Sequence, residues 1–229
     1  MIISASRRTD ISCFYSEWLI NRLRAGYALT RNPMNPAQLS RVSLSPADVD
    51  CIVFWTKDAQ NIITRMGEIE RMGYKYYFQF TLTPYGRTLE KNLRGKADIE
   101  ETFIRLSEKI GAERVLWRYD PIILNDDLTI DFHRREFTRL CERLSPYTKS
   151  VTVSFVDMYR KLKTNLICEL TGEQIAELSG HIGQTAKSYG LTARACCESA
   201  DLSAYGIERA SCIDKLLIEK ICGRALSLP

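Results

Sequence analysis

The stretch Ile2-Ile3-Ser4-Ala5-Ser6-Arg7-Arg8-Thr9-Asp10 decides between the two ways of arranging alternating strands and helices. It begins as a short β-branched strand and ends in a turn that contains no glycine. A dinucleotide-binding sheet carries a glycine-rich first turn, because the pyrophosphate must approach the backbone closely there. That fingerprint is absent. Polar residues inside the strands also suit a barrel lumen better than an open sheet covered on both faces. The expected fold is therefore α/β, a partial TIM-like (β/α)6 barrel of parallel strands.

Working outward, β-branched and aromatic runs predict six strands, at Ile2 to Ser6, Cys51 to Thr56, Tyr74 to Thr83, Arg114 to Tyr119, Ser150 to Phe155 and Leu191 to Cys197. Helical periodicity fills the intervals at Ser16 to Ala25, Ala59 to Met72, Ile99 to Ile110, Phe132 to Leu144 and Glu173 to Tyr189. Asp98 with Glu101, and Thr171 with Gln174, have the spacing of capping boxes. Gly73, Gly111 and Gly190 stand where helices should end. The first connection is interrupted by Asn32-Pro33-Met34-Asn35-Pro36 between two alternating runs, Tyr27 to Arg31 and Ser40 to Leu44, which predicts a hairpin insertion. Without an internal repeat or a low-complexity linker, residues 1–229 are expected to form a single domain.

Composition excludes several classes. With 45% hydrophobic and 26% charged residues, the chain can bury a core and shows no disorder bias. The net charge of +4 is too mild to argue by itself for nucleic acid or an anionic membrane, so a nucleic-acid partner is left unsupported by charge. No apolar run reaches the roughly 20 residues that span a bilayer, and Arg7 and Arg8 leave no signal-peptide core, so a cytoplasmic protein without a membrane partner is expected. The eight cysteines are scattered without C-x-x-C spacing and read as reduced thiols. Two histidines, His133 and His181, both on expected helices, make a histidine-built metal site or a Ser-His-Asp triad a poor fit.

In α/β barrels chemistry gathers at the C-terminal strand ends. There the sequence places Ser6, Arg7, Arg8 and Asp10, then Thr56 and Lys57, then Gln79 and Thr81, then Arg118 and Asp120, then Ser154 and Asp157, and last Arg194, Cys196 and Glu198. The period of two sets Arg118 beside Asp120 on one face, and Arg194, Cys196 and Glu198 on another. Charges inside a barrel must be paired, so these read as interlocked ions around a polar ligand or as a structural layer at the barrel mouth. Trp55, Trp117 and the Tyr76-Tyr77-Phe78-Phe80 stripe read as packing, and Asn125-Asp126-Asp127 as a turn.

Ser4-Ala5-Ser6-Arg7-Arg8-Thr9-Asp10-Ile11, Val53-Phe54-Trp55-Thr56-Lys57, Phe78-Gln79-Phe80-Thr81-Leu82-Thr83 and Trp117-Arg118-Tyr119-Asp120-Pro121 together resemble a bacterial family classed only as a domain of unknown function. The likeness continues through Ser154-Phe155-Val156-Asp157, Cys196-Cys197-Glu198 and Cys212-Ile213-Asp214. Members of that family typically end in a cysteine cluster similar to that of radical S-adenosylmethionine enzymes, in which three thiolates hold a four-iron cluster. The resemblance implies S-adenosylmethionine and a 4Fe–4S cluster as cofactors, with cluster ligands outside this chain, which has no such cysteine run before Pro229.

Three functions follow. The first is the barrel of a radical S-adenosylmethionine-like enzyme acting on a small-molecule or nucleoside-type ligand. In it Arg118, Asp120, Arg194 and Glu198 orient the cofactor, Ser6, Gln79 and Thr81 add neutral hydrogen bonds, and Cys196 lines the site or donates hydrogen. The second is a cofactor-free hydrolase or lyase using two of Asp10, Asp120, Asp157 and Glu198 as acid and base. The third is a non-catalytic module that captures an anion with Arg7, Arg8, Arg118 and Arg194. Six βα units use the chain to about Cys197, leaving room for at most one more and an open side on the expected barrel.

Overall fold

Each expected strand is present in the computed structural model, which describes residues 1–6, 8–156, 169–196, 198 and 200–226. The chain divides into two compact units. The first comprises Met1–Gln79 and the segment from Ile213 onward, and the second comprises Phe80–Cys212.

The first unit begins with β1 (Ile2–Ala5), the short α1 (Ile11–Phe14) and α2 (Ser16–Ala25). It continues through the hairpin of β2 (Tyr27–Arg31) and β3 (Leu39–Ser43), then β4 (Cys51–Thr56), α3 (Gln60–Ile63) and α4 (Met66–Arg71), and into β5 (Tyr76–Thr81). In the second unit α5 (Lys96–Ile110), β6 (Val115–Ile122), α6 (Ile130–Leu144), β7 (Ser150–Phe155), α7 (Gly172–Ser188), β8 (Thr192–Ala195) and β9 (Glu208–Arg209) follow one another. The chain then returns to the first unit with α8 (Lys215–Cys222).

The strand order is β1-β4-β5-β6-β7-β8-β9, with the hairpin forming its own two-stranded sheet. The β1/β4, β6/β7, β7/β8 and β8/β9 pairs are parallel. This is an α/β fold with a seven-stranded sheet flanked by helices, and the strand order leaves β1 and β9 as edges rather than closing them on each other. The seventh strand escaped the sequence because two residues, Glu208 and Arg209, carry no period.

Within the first unit Leu19, Ile20 and Leu23 form the buried stripe of α2, and Phe54 of β4 stacks on Phe78 of β5 with ring centroids 4.7 Å apart. The second unit buries Ile99, Phe103, Leu106 and Ile110 along α5, at the three- and four-residue spacing of one helical face. Trp117 of β6 stacks on Phe137 of α6, and its Nε1 donates to the Leu82 carbonyl at 2.9 Å. Gly183 on α7 is dictated by a close approach: a Cβ there would lie 1.8 Å from the Tyr205 carbonyl oxygen.

Two local expectations fail for identifiable reasons. The helix expected over 59–72 is broken into α3 and α4, where the Arg65 N–H turns back to Ile62 O and the Glu68 N–H to Arg65 O in three-residue turns. The Asp98/Glu101 capping box is not formed, because α5 starts earlier, at Lys96, with Gly95 as N-cap. Asp98 thereby falls in the first turn, its carboxylate folded over the glycine at 3.2 Å from where a Cβ would stand. The Thr171/Gln174 box is complete, with Thr171 Oγ1 accepting from Gln174 N and Gln174 Oε1 from Thr171 N.

Candidate functional site

In the first unit the strand-end residues organise around Asp10. Its carboxylate caps α1 by accepting from Cys13 N at 2.9 Å, and it also accepts from Thr56 Oγ1 at 2.9 Å and Lys57 N at 2.8 Å. Burial pushes its pKa above the usual aspartate value, against the pull of these hydrogen bonds. Thr56 Oγ1 in turn accepts from Asp58 N at 3.0 Å. Ser6 Oγ donates to the Thr9 carbonyl at 3.1 Å and accepts from the N–H groups of Arg8 and Thr9, so it knits its own loop. Gln79 is buried on β5 beside the Tyr77 hydroxyl, which accepts from Asp214 N at 3.1 Å and is pushed up to about 12 by desolvation.

Beside this loop lies an open groove of about 630 Å³. It is lined by the apolar or aromatic side chains of Ile11, Tyr15, Trp18 and Leu29 together with Ser6, Arg8, Thr9, Thr30 and Arg31. Arg8 Nη1 donates to the Arg31 carbonyl at 3.0 Å, which ties the loop to the hairpin.

The second unit assembles the charged strand ends. Register pairs Arg118 with Thr152, Thr152 with Arg194, and Arg194 with Glu208, so one face carries a row across β6, β7, β8 and β9. Arg118 is buried and forms an ion pair with Asp120 on the same strand face. Its guanidinium also bonds the Cys196 side chain, and the two partners hold its charge against a burial that works the other way. Cys196 is buried, and its Sγ lies 3.3 Å from that of the exposed Cys212. Glu198 accepts from Phe155 N at 2.7 Å, and Arg194 Nε lies 3.8 Å from Glu208. Thr81 and Ser154 are half-buried at their strand ends. Among the described residues, no group of three His, Cys, Asp or Glu side chains is arranged to hold a metal ion.

A family model described as a domain of unknown function matches residues 2–228. The chain belongs to the DUF1848 family. No curated protein and no solved structure matches this DUF1848 chain.

The structure thus brings together Asp10, Thr56 and the backbone of Lys57 in one unit, and Arg118, Asp120 and Cys196 in the other. Arg7 and Asp157 lie outside the described residues. Thr152 and Glu208 were missed by the sequence reading. Thr152 alternates with buried Val151 and Val153 and so could have been found, whereas Glu208 sits on a strand too short to show. Of the residues read as packing, Trp117, Tyr76, Tyr77, Phe78 and Phe80 are fully buried, whereas Trp55 is half-buried and its Nε1 donates to Ser4 Oγ at 3.0 Å. Asn125 Oδ1 accepts from Asp127 N at 3.0 Å and Leu128 N at 2.8 Å, the turn its composition suggested. His133 on α6 is a core residue. The Tyr119 hydroxyl and His133 Nδ1 are 2.7 Å apart, and Nε2 lies 2.8 Å from the Ile123 carbonyl. Among the described residues, no helix is long and apolar enough to cross a membrane.

Proposed function

We propose that this DUF1848 chain is the α/β body of an S-adenosylmethionine-dependent enzyme of the radical type, and that its sheet is curved as a partial (β/α)6 barrel. The observation that carries the reading is Arg118 held between Asp120 and Cys196 at the strand ends of the second unit. A guanidinium fixed beside a carboxylate complements the carboxylate and ammonium of an amino-acid group, which is the charged end of S-adenosylmethionine. Ser154, Arg194 and Glu198, from β7, β8 and the segment after β8, add polar atoms for a nucleoside-type ligand. Cys196 supplies a lining thiol. A cytoplasmic setting agrees with the six described cysteines, all of which are free thiols.

A 4Fe–4S cluster needs at least three thiolates, and the described residues offer only the pair Cys196 and Cys212 in contact. The described part of the chain therefore does not fit the cluster. The paired-carboxylate alternative is weaker. Asp120 is held by Arg118, the two oxygens of Asp10 accept three hydrogen bonds, and Glu198 takes the Phe155 N–H. Each of these carboxylates already accepts from a fixed protein donor, which suits a positioning role better than that of a free acid or base.

Calorimetric titration of the purified chain with S-adenosylmethionine tests the reading. The expected result is saturable binding that Arg118→Ala weakens at least tenfold and Arg118→Lys restores in part. A chain that retains its fold and takes up no S-adenosylmethionine overturns it.

A further inference from the structure

The groove of the first unit has features that the proposed function does not use. Its wall exposes large aromatic surface, with Tyr15 52% and Trp18 46% accessible and Phe14 next to them at 59%. Side chains of this size are ordinarily buried, and monomeric proteins seldom leave them clustered in the open without a partner. In the same lining, neither Arg8 nor Arg31 has a carboxylate within 4 Å among the described residues.

The pattern extends along α2 into the hairpin. Trp18 and Arg22, four residues apart on α2, share a helix face, and Tyr15 stands at the N-cap of the same helix. The Arg22 guanidinium lies 5.8 Å from the Tyr27 ring centroid, and that of Arg41 lies 4.5 Å from the same ring. Aromatic and guanidinium groups therefore alternate from the groove across the hairpin. The charge is concentrated as well. Residues 1–47 hold six arginines and only two acids, Asp10 and Glu17, an excess equal to the net +4 of the whole chain. Asp10 is spent on Cys13, Thr56 and Lys57, which leaves Glu17 as the one carboxylate of this segment that faces solvent.

The geometry points to a binding groove for single-stranded nucleic acid, with bases stacked on Tyr15 and Trp18 and phosphates held by Arg8 and Arg31. Stacking platforms interleaved with arginines are how single strands are held without reading sequence. The exposed rings of Tyr15 and Trp18 favour an unpaired base over a duplex, whose bases are already stacked. The charge favours a polyanion over a neutral peptide or a second copy of this basic chain. This inference is independent of S-adenosylmethionine binding, which uses residues of the second unit.

The test is fluorescence anisotropy of the full chain with labelled twelve-nucleotide oligouridylate and oligothymidylate, against a duplex of equal length and free AMP as competitor. Single strands are expected to bind, with the duplex and AMP each at least tenfold weaker. Trp18→Ala should weaken the single strand about tenfold. Arg8→Ala with Arg31→Ala should lower affinity at low salt and flatten the log–log salt slope by about 0.7 for each phosphate that no longer meets an arginine. All of these side chains are exposed or line an open groove, and circular dichroism with thermal melting verifies that each variant is folded. Four results overturn the inference: no strand binding at 50 mM salt, binding indifferent to the Trp18 and arginine variants, AMP or duplex binding as tightly as the strand, or a Trp18-dependent dimer in sedimentation without strand binding. Titration with S-adenosylmethionine in parallel separates this outcome from that of the function proposed above.

Discussion

Two sets of arginines in this chain are treated in opposite ways. In the second unit Arg118 is buried, paired with Asp120 and bonded to Cys196, and Arg194 lies in register beside Glu208. In the first unit Arg8 and Arg31 line an open groove next to exposed aromatic rings, and Arg8 makes one backbone contact across it. Charge taken out of water must be compensated within the fold, so it becomes structure first and ligand site second. Charge left in water costs the fold almost nothing and stays available to a partner. The two sets should therefore separate cleanly when stability and binding are measured side by side.

The largest effect is expected for Arg118→Ala, which leaves the half-buried Asp120 carboxylate without its ion-pair partner and empties a buried site. A loss of about 3–5 kcal/mol in urea unfolding is expected. Replacing both partners, Arg118→Met with Asp120→Leu, should recover most of that loss. If the single variant is as stable as the parent, the claim that this pair is part of the fold is wrong. Next comes Asp10→Ala, which removes a helix cap and leaves the Lys57 N–H and Thr56 hydroxyl without their acceptor. About 1–3 kcal/mol should be lost.

A smaller effect should appear on acidification. Burial holds the His133 imidazole below its usual 6.5, so the unfolded chain takes up that proton first as the pH falls. Its contribution is complete above about pH 6.5 and declines below it, visible as a falling melting temperature. His181 is shifted the same way, and the difference between the parent and His133→Leu isolates the His133 share. The smallest effect is expected for Arg8→Ala and Arg31→Ala, each within about 0.5 kcal/mol of the parent. A destabilisation as large as that of Arg118→Ala would erase the contrast between the two sets.

Local chemistry made much of this legible in advance. The strands at 51–56 and 150–155 end where their β-branched runs end, and the hairpin follows from the Asn-Pro interruption between two alternating segments. The pairing of Arg118 with Asp120 followed from the period of two, since both residues lie on one strand and no long-range information was needed. Glu208 beside Arg194 and Cys212 beside Cys196 were hidden because each pairing spans more than ten residues of loop and short strand. The groove was hidden for another reason. Helical periodicity places Leu19, Ile20 and Leu23 inward, yet it does not reveal that Tyr15 and Trp18 are left outside. A whole-chain charge of +4 also averaged away the concentration of arginine before residue 48.

The path of the chain bears on its synthesis. Residues 80–212 form the second unit without interruption, whereas the first unit draws on both 1–79 and the segment from Ile213. Asp214 N donates to the Tyr77 hydroxyl, Cys222 Sγ bonds the Asp50 carbonyl, and Arg224 pairs with Asp50, which also holds the Met1 amine. On the ribosome the later-made unit therefore has all its parts first. The earlier-made one must wait, with Tyr77 and Asp50 lacking these partners, until α8 emerges.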